Sequence, residues 1–118
     1  MVKQCLKKPI RYDLVVYKGQ TYDQNIWFRH KSTKTPVSLD GVTAKAQIRP
    51  SQNSPKLSAE IVTTVYPDEG KINILLDADT TEAMAPGFYE WDLRTEDEND
   101  IVKYFFAGKV VVTGRVTV

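Results

Sequence analysis

Residues 77–93 read DADTTEAMAPGFYEWDL, and three signals lie in them. Asp79 is expected as a helix N-cap, with Glu82 three residues on at the capping-box spacing. Residues 80–85 leave room for about one and a half helical turns. Pro86-Gly87 then breaks the helix and turns the chain. Beyond the turn, Tyr89, Trp91 and Leu93 alternate with Glu90 and Asp92, the pattern of a strand with one apolar face. A short helical crossing therefore feeds a strong strand, with Tyr89, Trp91 and Leu93 expected in the core.

The same period-2 alternation recurs on both sides of this stretch. It predicts strands over residues 12–17, 21–29, 42–49, 57–63 and 71–77, then 88–94, 101–106 and 110–118. Turn signals fill the gaps: Lys18-Gly19-Gln20, Leu39-Asp40-Gly41, residues 50–56, residues 66–70 and the acidic run of residues 95–100. Ala107-Gly108 is expected as a bulge or bend between the last two strands. Seven to eight short half-solvated strands indicate an all-β, mainly antiparallel domain. The layer solutions are a two-sheet sandwich or a partly closed barrel, and the antiparallel Ig-like sandwich is preferred. The short helix near residues 79–85 would then cross between sheets.

A chain of 118 residues with 42% hydrophobic residues suits one core. Residues 1–10 are expected as a basic N-terminal arm and residues 11–118 as a single domain. Cys5 is the only cysteine, so an intrachain disulfide is excluded. No apolar run precedes Pro9 and none approaches the length of a membrane span, so neither a signal peptide nor a membrane partner is expected.

The net charge of +1 hides an uneven distribution. Residues 1–34 carry Lys3, Lys7, Lys8, Arg11, Lys18, Arg29, Lys31 and Lys34 against Asp13 and Asp23. In residues 68–100, Asp and Glu outnumber Lys and Arg eleven to two. Such a bipolar surface favours head-to-tail contact or a charged partner, although both sets can simply solvate loops and strand faces.

Chemistry-bearing constellations are sparse. His30 is the only histidine, stands in a basic loop and has no companion ligand or nucleophile motif. Asp77, Asp79 and Glu82 are close enough to suggest Ca²⁺, but the calcium-loop pattern is missing and the cap explains Asp79 better. Glu90 and Asp92 share a strand face in the phase of a glycosidase pair, with no surrounding constellation. No catalytic residue, cofactor or metal is therefore expected, and the chain is not expected to be an enzyme. Arg11, Lys18, Arg29, Lys31 and Lys34 with Tyr22 and Trp27 could form a basic aromatic patch. The acidic second half argues against nucleic acid. Trp27 is out of phase with Ile26 and Phe28, and Phe105 with Tyr104 and Phe106. One member of each set is expected outward, at a protein contact or beneath a loop.

Gly19-Gln20-Thr21, Leu39-Asp40-Gly41, Ala46-Gln47-Ile48-Arg49, residues 70–76, residues 81–93 and residues 108–118 together resemble a known pattern. It is that of small β-sandwich domains in structural proteins of tailed bacteriophages, including the N-terminal domains of baseplate upper proteins. Pro86-Gly87, Tyr89 and Trp91-Asp92-Leu93 carry the sharpest part. The resemblance implies a non-enzymatic structural protein of a virion, in the tail, baseplate or a connector. Its partners would be copies of itself and neighbouring virion proteins. Its location would be the virion, with the host cytoplasm during assembly. A baseplate upper protein would continue into a further region, so a chain of one domain is expected as a connector, decoration or accessory protein. The expected interface residues are Lys7, Lys8, Arg11, Trp27, Arg29, His30, Lys31 and Phe105. The alternative is a carbohydrate- or ligand-binding module in host attachment, which needs an exposed aromatic beside amides or carboxylates.

Overall fold

The computed structural model describes residues 9–51 and 54–114. In chain order its elements are β1 (Ile10–Arg11), β2 (Leu14–Tyr17), β3 (Tyr22–Trp27), β4 (Thr43–Arg49), β5 (Ala59–Tyr66), a 3₁₀ turn (Pro67–Glu69), β6 (Lys71–Leu76), α1 (Ala78–Ala83), β7 (Gly87–Glu96) and β8 (Val102–Thr113). Among the described residues the protein is all-β apart from these two short helical pieces. Its strands form one ladder in the order β1-β8-β7-β4-β5-β6-β3, with β2 continuing the β1 position along β8. β5 pairs with β4 through residues 59–61 and with β6 through residues 62–66, so the sheet bends there and curls into a half-barrel.

Alternation places the core. Ile72, Ile74 and Leu76 of β6, Ala46 and Ile48 of β4, Trp91 and Leu93 of β7, and Val110 and Val112 of β8 all point inward. Leu14 and Val16 of β2 join them. Tyr89 is half-buried against this cluster, and its hydroxyl donates to the Ala85 carbonyl (2.6 Å), bracing the Pro86-Gly87 turn.

Four local expectations change. The cap of α1 is Asp77, not Asp79: its Oδ1 accepts the Thr80 N–H at 2.8 Å, the N-cap geometry. Asp79 already lies in the first turn, where its carboxylate faces the helix's positive end. The first strand is two pieces broken at Tyr12-Asp13 and begins at Ile10, inside the span read as an arm. Both pieces run parallel to β8, a pairing between chain ends that local pattern cannot reveal. Finally, β8 is continuous through Ala107-Gly108. The irregularity falls where Leu93 pairs with Phe106 and Arg94 with Tyr104, leaving Phe105 as the extra residue.

That bulge puts Phe105 and Phe106 on one side together. Phe28 meets both edge-to-face, at centroid distances of 5.2 and 6.1 Å, and Tyr12 meets Phe106 at 6.2 Å. Phe105 is therefore half-buried on Phe28, and Tyr104, 49% exposed, is the member of its set that faces outward. Aromatic side chains thus join the two ends of the ladder where, among the described residues, no strand pairing does.

Candidate functional site

Two glycines set the shape of the surface. Gly70 is buried at φ +61°, and a Cβ there would lie 2.7 Å from the Phe28 carbonyl oxygen. It thereby lets the residue 28–37 loop close on the 3₁₀ turn. A Cβ on Gly108 would collide with the Tyr12 carbonyl oxygen and sit 2.7 Å from Asp13 Oδ1. At this crossing the strand break has a chemical cause. Asp13 Oδ1 accepts the Lys109 N–H (2.9 Å) in place of a backbone carbonyl. Trp91 Nε1 donates to the Tyr12 carbonyl at 2.7 Å. The Lys109 N–H and, secondarily, the Arg11 guanidinium hold the Asp13 carboxyl below its ordinary value.

The β2–β3 turn is fastened to α1 in a similar way. Lys18 Nζ donates to the carbonyls of Glu82 (2.6 Å) and Met84 (2.9 Å), closing the helix C-terminus with a cation. The buried Thr81 hydroxyl accepts the Gly19 N–H (3.0 Å) and shares its proton between the Gln20 and Ala78 carbonyls. These groups are occupied by structure.

Two outward faces remain. On β3, β6 and β5, pairing aligns Trp27, Lys71 and Tyr66 in one row and Asn25, Asn73 and Thr64 in the next. The Lys71 ammonium lies 5.1 Å from the Trp27 ring centre and 4.4 Å from that of Tyr66, with Glu69 at 3.6 Å. Arg29 also stands over Trp27, at 5.3 Å. Asn73 Nδ2 donates to Asp23 Oδ1 (2.6 Å) and Asn25 Oδ1 (2.9 Å).

The other face belongs to β2, β8, β7 and β4. Pairing aligns Val15, Val111 and Phe88 in an apolar row, and Phe88 is 75% exposed. Beside it the chain forms a groove of about 780 Å³ over β1, β8, β7 and β4. Arg11, Lys45, Arg49, Arg94 and Lys109 line it, against Glu90 and Asp92. Burial pushes the Asp92 carboxyl up, and Arg49 pulls it part of the way back.

The expected interface residues therefore divide. Trp27, Arg29, His30 and Lys31 are exposed at and beyond the end of β3, on one loop. Arg11 lines the groove on the other face, and Phe105 packs on Phe28. Lys7 and Lys8 lie outside the described residues. The basic aromatic patch is accordingly not assembled, because Arg11 and Lys18 are held elsewhere. Sequence reading missed the groove cations Lys45, Arg49, Arg94 and Lys109. Their signal was the outward phase of β4, β7 and β8, but only the register brings them together. Asp77 serves as a cap, and among the described residues no group of three or more His, Cys, Asp or Glu is placed to hold a metal. Among them too, no helix is long and apolar enough to cross a membrane. No protein-family model matches the chain, and no curated protein matches it.

Proposed function

We propose that this chain is a non-enzymatic, Ig-like β-sandwich module that acts by protein–protein assembly as a structural part of a bacteriophage virion, in the tail, baseplate or a connector. The strand path supports the sandwich: β3, β6 and the far half of β5 make one layer, and β2, β8, β7, β4 and the near half of β5 the other. α1 crosses between them. The observation that carries assembly is the Val15–Val111–Phe88 row, contiguous, outward and bordered by the charged groove. An apolar strip with a polar rim is the anatomy of a protein contact. The resemblance of residues 81–93 and the flanking motifs to phage β-sandwich domains supplies the virion setting. The test is proteomics of gradient-purified particles from cells that make this chain. Its peptides should co-sediment with virions at fixed stoichiometry, and their absence from the particles overturns the reading.

One observation favours the second reading, a carbohydrate-binding module. Trp27 is 47% exposed and stands one row from Asn25 and Asn73. Glycan-array binding that disappears in a folded Trp27→Ala variant would support it. The Arg29 and Lys71 cations over the ring, and the mutual hydrogen bonds of the amides, weigh against it.

A further inference from the structure

We propose that the acidic tip of the β7–β8 hairpin in one copy of the chain docks in the cationic groove of a second copy. The inference rests on the assembly reading above and names the partner of that face.

The groove is the receiving part. Arg11 is tied to Asp13 at 3.3 Å and Arg94 to Glu96 at 3.4 Å. Arg49 is held in place by the carbonyls of Ser54 and Pro55 and by Gln47 Oε1, none of which neutralises it. Lys45, Arg49 and Lys109 make no ion pair among the described residues, although Glu90 stands across from Arg49 and Lys109, whose charges act on the Asp92 and Asp13 carboxyls respectively. With the ion-pair partners Asp13 and Glu96 counted beside the lining's Glu90 and Asp92, five cations face four carboxylates, and the groove stays slightly positive. Asp92 is half-buried at its floor, so charges there sit in a lower effective dielectric than at an open surface.

The tip is the matching part. It reads Glu96-Asp97-Glu98-Asn99-Asp100-Ile101 and carries no cation. Its conformation is set before any contact. Asp97 Oδ1 accepts the N–H groups of Asn99 (2.8 Å) and Ile101 (3.0 Å), and the Asp100 N–H donates to the Asp97 carbonyl. A loop already ordered loses less entropy on docking. Glu98 lies along the Gly41 turn yet stays exposed, Asp100 is exposed, and neither makes an ion pair among the described residues; Ile101 and Val102 beside them are 50% and 40% exposed. The tip therefore offers both carboxylates and apolar surface.

The occupant must come from another molecule. The tip and much of the groove lie on the same two strands, paired from Gly87–Val112 to Glu96–Val102 with only the Phe105 bulge between. That ladder holds the tip beyond the groove of its own chain. A two-fold axis lets two copies exchange tips and closes the contact.

The experiment is sedimentation velocity with light scattering on the whole chain. It uses salt of about 0.01 M and about 1 M, where the Debye length is ~30 Å and ~3 Å. Two charge-altered variants, Glu98→Lys/Asp100→Asn and Lys45→Glu/Lys109→Glu, change exposed side chains, and asparagine keeps the left-handed φ of +62° at position 100; circular dichroism is the folding control. Wild type should dimerise at low salt and dissociate at high salt. Each variant alone should bind itself roughly a hundredfold more weakly or worse, and an equimolar mixture should recover the dimer. A wild-type monomer at low salt, a variant that dimerises like wild type, or a mixture that stays monomeric overturns the contact. None of these results changes whether the chain co-sediments with virions, so the two readings fail separately.

Discussion

The two outward faces of this sheet are built on the same inward alternation, yet their chemistry differs. On β3, β6 and β5, polar groups answer one another: Asn73 bridges Asp23 and Asn25, and Lys71 lies among Trp27, Tyr66 and Glu69. On β8, β7 and β4, three groove cations lack an ion pair among the described residues, and Val15 and Phe88 of the neighbouring apolar row are open to solvent. Core packing constrains both faces equally, so it cannot account for the difference. A face whose groups are mutually satisfied gains little from a partner. A face with unpaired charge beside exposed apolar area gains more, which is why we assign the contact to the second.

The largest test of this contrast is Gly108→Ala, because the groove exists only where Tyr12-Asp13 can cross Gly108 closely. The added methyl meets the Tyr12 backbone first, with the hydrogen-bonded Asp13 Oδ1 next to it. We expect a loss of about 3 kcal/mol in urea unfolding, the upper end for overpacking. Amide exchange should quicken in β1 and β2 while β3 and β6 stay protected. Uniform loosening of both faces would break the comparison. Trp91→Phe comes next. It keeps the ring in the core but leaves the Tyr12 carbonyl without its donor, for an expected loss of about 2 kcal/mol. Lys71→Met tests the self-satisfied face. Losing a cation between two rings should cost about 0.5–1 kcal/mol and change Trp27 fluorescence, with self-association untouched.

Much of this fold is legible in the sequence, for reasons that are local. Ile72, Ile74 and Leu76, like Trp91 and Leu93, show their inward phase within a few residues, and Asp40-Gly41 and Gly70 turn the chain where expected. What is not legible depends on distant partners. Gly108 looks like a bend, yet its role is to admit Tyr12, which lies far off in sequence. The extra residue at Phe105 follows from how β8 meets β7 and Phe28. Asp77 and Asp79 are equivalent as cap types, and the choice depends on which carboxylate reaches the Thr80 N–H. The groove is legible least of all, because Arg11, Lys45, Arg49, Arg94 and Lys109 come from four strands whose register no local pattern states.

The smallest expected effect concerns Asp92, and it tests whether the groove is electrostatically unfinished. Burial raises its folded carboxyl above the ordinary 3.8, with the Arg49 field opposing. The sign follows from linkage. Below the unfolded value the carboxyl is protonated in both states and carries no penalty. As pH rises through the folded value, the native state must hold a charge in a half-buried site, and stability falls to a lower plateau. Asp13 and Asp77, held below their ordinary value, act oppositely: their contribution is present at neutral pH and is lost as the solution is acidified through the folded values. Asp92→Asn should therefore raise Tm slightly at about pH 7 and leave it nearly unchanged at about pH 3, on either side of the usual carboxylate range. The gain is small because the group is still in contact with water, which screens it. The same substitution makes the groove more positive, so at low salt it should tighten self-association while the thermal gain stays slight. A variant that gained stability but lost association would mean that Asp92 orders the groove for its partner, and the contrast between the two faces would then lie in shape rather than in unpaired charge.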